Sequence, residues 1–344
     1  MRITVLAGGV GGARFVRGVR EEARRRWPDG QGGSEASAVD VIVNTGDDLW
    51  LAGVRLMPDF DSLLYALAGV NDTERGWGRA GETERVAAEL SEWGVGWPWF
   101  TLGDLDLGTH LARTSWLRDG LTPTQVGERL QGRWPLGVRL RPATDTEVDT
   151  HVLVQDPDAA GASDAPTVEL HFQEWWTRYR ASLPALEFRQ RNLDVARPAP
   201  GVAEAIADAD VVLVAPSNPV VSIGTILTIP GIREALAATS APVVGVSPII
   251  GGAVVRGMAD ACLSAIGVET DAAAVARHYG ARSAGGLLDG WLVAEEDAAE
   301  VEGLRAHGFA ARAVPLWMRD LDTSAALAGE AFDLARELRA DRGR

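Results

Sequence analysis

Met1-Arg2-Ile3-Thr4-Val5-Leu6-Ala7-Gly8-Gly9-Val10-Gly11-Gly12-Ala13 is the stretch that decides the fold. Residues 3–7 form a short apolar run, which predicts a buried strand. The glycines at 8–12 predict a tight turn. Residues 13–26 then predict a helix, and residues 27–38, with Pro, Gly and Ser, a loop. A second apolar run follows at 39–44. Two short strands joined by a crossover helix pair in parallel, because antiparallel neighbours need only a hairpin.

The same grammar returns further on. Residues 211–215 and 243–246 are short β-branched runs, each followed by Pro, Ser or Gly, and helical patterning at 232–238, 258–266 and 272–278 flanks them. Residues 291–293 and 311–314 add strands, and 324–339 a closing helix. Strands alternating with helices predict the α/β class, here a doubly wound, Rossmann-like parallel sheet. The middle breaks the pattern. Residues 105–133 read as helical, 139–141, 150–154 and 168–172 as shorter strands around a polar loop at 156–166, and Gln173-Glu174-Trp175-Trp176 as the opening of a helix. The expected organisation is a core from residues 1–104 and 199–323, an inserted α+β cap region at 105–198, and a C-terminal helix at 324–344.

Composition excludes several chemistries. The 344 residues carry a formal net charge of −15, and all 33 basic residues are Arg. Without Lys there is no Schiff-base nucleophile and no Gly-Lys-Ser/Thr phosphate loop. A single cysteine, Cys262, excludes an intrachain disulfide, a cysteine-rich zinc site and an iron–sulfur cluster. The acidic balance argues against a nucleic-acid partner, which needs a basic face. No run of about 18 apolar residues predicts a membrane span, and the chain enters its first strand without a leader pattern, so a cytoplasmic location is expected.

The glycine turn places backbone N–H groups at a positive helix end, a ready site for an anion. Gly9, Gly11 and Gly12 are the candidate phosphate contacts; the alternative is a turn built only for close packing. The dinucleotide pattern G-x-G-x-x-G fails, because counting from Gly9 its third glycine position holds Arg14. Asn44 and Thr45 stand where a ribose-binding acid belongs. A phosphorylated ligand other than NAD is expected, with Asn44 and Thr45 beside it.

Asn44-Thr45-Gly46-Asp47-Asp48 closes the second strand, and Pro58-Asp59-Phe60-Asp61-Ser62 precedes a helical run at 63–68. Four carboxylates thus gather at the carboxyl edge, where doubly wound sheets bind ligands. Asp oxygens without a neighbouring His or Cys suit Mg²⁺, so Asp47, Asp48, Asp59 and Asp61 are the candidate metal ligands. Helix capping competes for one of Asp59 and Asp61, and a solvated Asx-type turn for Asp47 and Asp48. Leu102-Gly103-Asp104 with Thr109-His110, Ala215-Pro216-Ser217-Asn218-Pro219 and Val246-Ser247-Pro248 repeat the theme at other strand ends. Asp104, His110, Ser217, Asn218 and Ser247 join the candidate ligand contacts. No two of the five His have helical ligand spacing, so zinc is not expected. Phosphate charge must be met by backbone N–H, metal or Arg; Arg14, Arg256 and Arg282 lie near glycine-rich stretches. Trp93, Trp97 and Trp99, and Trp175 with Trp176, suit either a planar ligand or packing.

Together these motifs resemble the 2-phospho-L-lactate/phosphoenolpyruvate transferases of deazaflavin coenzyme F-420 biosynthesis, most closely the bacterial form. The resemblance runs from Met1 to about Thr323 and takes in Arg75-Gly76-Trp77-Gly78, Pro142-Ala143-Thr144-Asp145 and His171-Phe172-Gln173-Glu174-Trp175-Trp176 as well. It implies that a guanosine diphosphate adduct of phosphoenolpyruvate, or of L-lactate, donates its phosphoryl-acyl half to the ribityl hydroxyl of 7,8-didemethyl-8-hydroxy-5-deazariboflavin. GMP leaves, and the product is dehydro-F-420-0 or F-420-0. The resemblance also implies a Mg²⁺ requirement and a homodimer. On that reading Asp48, with Asp61 or Asp59, holds the metal on the diphosphate, and a carboxylate orients the acceptor hydroxyl; Asp48 and Asp61 are the catalytic candidates. Where archaeal relatives carry a basic residue in the helix after the Trp-Gly segment, this chain offers only Arg85. A nucleotide-sugar-binding regulator of the same fold is the rival expectation, and a nicotinamide dehydrogenase a weaker one, given Arg14 and Asn44.

Overall fold

The structure, a computed structural model, describes residues 1–28, 38–159 and 166–342. Most of the two loops expected at 27–38 and 156–166 therefore lies outside the described residues. Strand β1 (Arg2–Ala7) is buried from Ile3 onward, and helix α1 (Gly9–Arg26) begins directly after Gly8. The glycine stretch is not a free turn. Gly9 to Gly12 already lie in the first turn of the helix, and the bend is made by Gly8, extended, and Gly9, at φ +63°.

Strand β2 (Ala38–Val43) lies parallel beside β1, with Ile3 opposite Val39 and Ala7 opposite Val43. A hairpin of β3 (Leu49–Leu51) and β4 (Val54–Leu56) leads into α2 (Pro58–Ala68), and then come α3 (Arg85–Glu92), α4 (Asp104–Arg118) and α5 (Pro123–Gln131). The helical stretch expected at 105–133 is broken in two, because Thr122 caps α5 in a capping box and Pro123 takes its first turn. Strand β5 (Arg139–Pro142) pairs with β2. Strands β6 (Thr150–Gln155), β7 (Thr167–His171) and β8 (Glu187–Gln190) make a separate antiparallel sheet. The chain continues through β9 (Val211–Val214), β10 (Val243–Val246), a short hairpin of β11 (Ile249–Ile250) and β12 (Ala253–Val254), β13 (Gly290–Ala294) and β14 (Ala310–Val314).

The central sheet has seven strands in the order β14-β13-β10-β9-β1-β2-β5, all parallel. The chain winds from β1 out to β5, returns to β9 on the other side of β1, and winds out to β14. The reversal lies between β1 and β9, and in such sheets ligands bind outside the carboxyl ends of the strands at that point. Helices cover both faces, as alternating strand residues require. Val5 and Val41 pack with Phe15, Leu63 and Phe332 on one side, and Leu6 and Ile42 with Ile206 and Ile232 on the other. The C-terminal helix Leu321–Arg342 lies so close to α1 that a Cβ on Gly18 would strike the carbonyl of Ser324.

One expectation needs correction. The whole of 105–198 does not stand apart from the core. Strand β5 is the seventh strand of the central sheet, and Val126, Leu130 and Leu140 share a core with α1 and α2. The sheet β7-β6-β8 packs on a separate small cluster, in which Val152, Val154, Phe172 and Trp175 close on Val221, Met258 and Cys262. Four residues of alternating Arg and apolar character fit an edge strand of the main sheet as well as a strand of a cap, so the pattern of 139–142 did not decide. Strand β5 is an edge, and Gln131 covers it: its amide accepts from Leu140 N at 2.6 Å and donates to Leu140 O at 2.9 Å. No helix among the described residues is long and apolar enough to cross a membrane.

Candidate active site

The strand ends at the reversal are stitched together. Ser217, just past β9, donates from Oγ to Gly8 O at 2.7 Å and accepts from Gly8 N at 3.0 Å. This close approach explains two glycines. A Cβ on Gly12 would come 2.6 Å from Ser217 Oγ, and one on Gly11 2.9 Å from the Pro216 carbonyl oxygen. Asn218 Oδ1 accepts from Val220 N and Val221 N, and Ser247 Oγ bonds both N–H and C=O of Ile249. Ser217, Asn218 and Ser247 thus stand at the predicted carboxyl edge with side chains already engaged in shaping its walls.

Beside this stitch lies a buried acidic cluster. Asn44 follows β2 and is completely buried. Its Nδ2 donates to Asp47 Oδ1 and Asp59 Oδ2, both at 2.9 Å, and its Oδ1 accepts from Gly46 N. One amide therefore draws together carboxylates from two segments. Gln173 Nε2 donates to Asp47 Oδ2 at 3.1 Å, and the Gly9 N–H bonds Asp59. Burial still dominates. It raises Asp47 well above the usual carboxylate range, with the charge of Asp59 adding to it, and pushes Asp59 up to about 6 against its hydrogen bonds. Helix α2 starts after Met57 without a side-chain cap, so neither Asp59 nor Asp61 takes the N-cap; both lie in its first turn. Thr45 is buried here too, its Oγ1 without a hydrogen-bond partner.

Asp48 and Asp61 are held differently. Arg55 Nη2 stands 3.8 Å from Asp48 Oδ2, too far for a hydrogen bond, and gives its hydrogen bonds to Asp149 at 2.9 and 3.3 Å. Asp61 is bonded by Arg113, a wholly buried guanidinium. Burial raises the pKa of both acids, against the pull of Arg55 on Asp48 and of Arg113 on Asp61. Asp48 Oδ1 and Asp61 Oδ2 are buried without any hydrogen-bond partner. A buried carboxylate oxygen left alone is costly until a proton or a cation meets it. The donors are hard oxygens, which fits Mg²⁺. Asp48 and Asp61 fit it better than Asp47 and Asp59, which already share the Asn44 amide.

The family model described as 2-phospho-L-lactate transferase CofD matches residues 3–315. This chain belongs to the CofD family. Relatives named phosphoenolpyruvate transferase are 53% identical in Nocardia farcinica, over 97% of this chain and 95% of the relative, and 53% in Thermobifida fusca, over 98% and 99%. One from Streptomyces griseus is 52% identical over 99% of this chain and all of the relative. A solved structure of a UPF0052 family member from Bacillus halodurans covers 96% of this chain and 98% of its own with TM-score 0.58 and 16% identity, so it shares the fold.

In this CofD-family chain the site extends along α4. His110 stands with its Nδ1 3.6 Å from Asp61 Oδ2 and 3.0 Å from Arg113 Nη1. Its Nε2 lies 3.4 Å from Asp106 Oδ1, which accepts from Tyr65 Oη at 2.7 Å. Ligand atoms of Asp61, Asp106 and His110 all lie within 4.8 Å of one another. Asp106 and Arg113 are functional candidates that sequence reasoning missed. The signal was their spacing with His110, at i, i+4 and i+7 on one helical face. Asp104, by contrast, is not brought into the site. It bonds Thr83 and Val86 N and so serves the start of α3, while Glu82 bonds the N–H groups of Leu105 and Asp106 at the start of α4. Arg85 is exposed beside Asp104.

The remaining candidates divide. Arg282 is bonded to the backbone carbonyls of Leu236, Thr239 and Ala241, and Arg256 to that of Arg75. Trp175 is a core residue, while Trp97 stacks on Trp99 at 4.5 Å and lies 6.0 Å from His171. His171, lowered to about 4 by burial, approaches the Asp48 carbonyl at 3.3 Å.

Proposed function

We propose that this chain transfers a phosphoenolpyruvyl unit, or its 2-phospho-L-lactyl counterpart, from a guanosine diphosphate adduct to the ribityl hydroxyl of 7,8-didemethyl-8-hydroxy-5-deazariboflavin, with release of GMP. The observation that carries the reading is the pair of unpartnered, buried oxygens, Asp48 Oδ1 and Asp61 Oδ2, at the carboxyl edge of the sheet. The CofD match and relatives above 50% identity support the transferase class. Mg²⁺, held by Asp48 and Asp61, supplies charge neutralisation on the diphosphate when bound.

The chain's own residues do the rest. Arg113 and His110 fix Asp61 from behind, and Asn44 and Gln173 fix Asp47 and Asp59 beside it. Asp48 also orients the ribityl hydroxyl and takes its proton. Such base catalysis contributes on the order of 10²–10⁴-fold. The hydroxyl oxygen bonds to the outer phosphorus as the bridging bond to GMP breaks. The proposal includes a homodimer in the cytoplasm. Purified protein with Mg²⁺, the deazaflavin and each donor in turn should give a product whose mass identifies the unit transferred, since enolpyruvyl and lactyl products differ by two hydrogens. Donor binding with no deazaflavin product from either would overturn the reading in favour of a regulator.

A further inference from the structure

Helices α1 and α2 leave a cleft between them that is roofed by the segment after α2. Its volume is about 60 Å³. One water needs about 10–15 Å³ of such space, so the cleft has room for one carboxylate or phosphate group. Arg14, Arg17, Ser62, Asn71, Thr73 and Trp77 line it.

The two arginines set it apart. The chain holds 48 acidic residues against 33 basic, and several other arginines are paired: Arg25 with Asp322, Arg26 with Asp333, Arg75 with Glu84, while Arg79 lies over the rings of Tyr65 and Trp134. Among the described residues neither Arg14 nor Arg17 has a hydrogen bond or an ion pair, and Arg17 Nε is buried with no acceptor. Further along α1, Arg20 has its pKa lowered by burial first, then by Arg24 and Arg17, against the opposing pull of Glu21, so positive charges crowd this face. The roof is preformed. Asp72 Oδ1 accepts from Glu74 N and Arg75 N at 2.9 Å, Gly76 N donates to Asp72 O at 3.0 Å and Ala80 N to Val70 O at 2.8 Å. Arg14 is exposed and Arg17 half-buried at the half-closed cleft, and guanidinium forks match the planar or tetrahedral oxygens of a small anion.

We propose that this cleft is a binding site for a single oxyanion, carboxylate or phosphate, gripped by Arg14 and Arg17 and oriented by the polar side chains of Ser62, Asn71 and Thr73. Val10 also lines the cleft. Val10 adjoins Gly9 and Ser62 adjoins Asp61, so the bound oxyanion lies beside the acidic cluster rather than within it. Two sources share this chemistry. One is the acidic end of the donor, which rests on the transferase reading above. The other is a free small anion, which does not.

Calorimetric titration of the full chain with inorganic phosphate, and separately with phosphoenolpyruvate, in EDTA keeps metal-bridged binding at the acidic cluster out of the signal. Saturation at one anion per chain is expected, weakened at least about 10-fold in Arg14→Gln/Arg17→Gln and less in Arg17→Lys, which keeps the charge but not the fork. Circular dichroism confirms that both variants fold. A donor KM raised in the double variant, with the acceptor KM unchanged, assigns the cleft to the donor. An unchanged donor KM, with loss of any effect of phosphate on turnover, assigns it to a free anion. No saturation by either probe in the unmodified chain, or equal affinity in the double variant, overturns the proposal. A chain that binds the anions yet makes no deazaflavin product leaves the cleft standing and fails only the transferase reading.

Discussion

Removing Arg113 isolates the energetics of the acidic cluster. Arg113 is wholly buried, bonds Asp61, donates to Arg55 O at 3.1 Å and touches His110 Nδ1. The Asp61 side chain is only 6% exposed. Arg113→Met keeps most of the volume but leaves the Asp61 charge without its ion-pair partner. Breaking a buried pair from one side costs about 3–5 kcal/mol, a large share of the roughly 5–15 kcal/mol that holds a folded domain together. Removing both charges, Arg113→Met with Asp61→Asn, strands no ion, so about 2 kcal/mol or more of that loss should return as a coupling energy. Urea denaturation followed by circular dichroism in EDTA measures all corners of the cycle. Arg113→Lys serves if the Met variant does not fold; it keeps the charge and should lose less. A double variant as unstable as Arg113→Met, or a loss below about 1 kcal/mol for the single one, would refute the view that Arg113 exists to carry Asp61.

Further outcomes follow from the same geometry. Mg²⁺ at about 100 times its dissociation constant should stabilise the chain by about 2.7 kcal/mol in a thermal-shift assay, and Asp48→Asn/Asp61→Asn should abolish the effect; an equal shift in that variant removes both as ligands. Asp59, at about 6 in the folded chain against a usual 3.8, holds its proton more tightly folded than unfolded. Its contribution is therefore greatest below about pH 4 and is lost as pH rises to about 6, on the order of 3 kcal/mol without metal. Asp59→Asn should flatten that dependence, so a stability difference between variant and parent that stays constant from pH 4.5 to 7 would count against it. Gly18→Val should cost more than about 2 kcal/mol through its collision with the Ser324 carbonyl; an unchanged melting temperature would show that the two helices slide apart freely.

How much of this was legible depended on period and polarity. The short buried strands at 243–246 and 211–214 and the helix at 232–238 announced themselves as apolar runs between turn residues. The hairpin β3–β4 did not, because three-residue strands around Ala52 and Gly53 carry too few positions to show alternation. The π-helical turn at Glu174–Arg178 is a tertiary outcome, with Trp175 pulled into a core. In the site, the four aspartates were visible because they cluster in sequence at strand ends. Arg55, Arg113, Asp106 and Gln173 were not, since each reaches the cluster from another element and only the fold brings them together. Asp104 misled for a related reason: an acid at the start of a helix satisfies the nearest free N–H groups, and here those belong to α3.

The amide of Gln131 sits where an eighth strand would lie. An open sheet edge is a template that any extended segment can copy. Here one side chain already answers both the donor and the acceptor of Leu140, and the strand ends on Pro142, which has no N–H to offer. The ribbon is blunted on this flank. Two copies of the chain cannot join by continuing the sheet through β5, so any association on this side has to come from helix faces and loops, and the same plug keeps a stray unfolded neighbour from growing onto it.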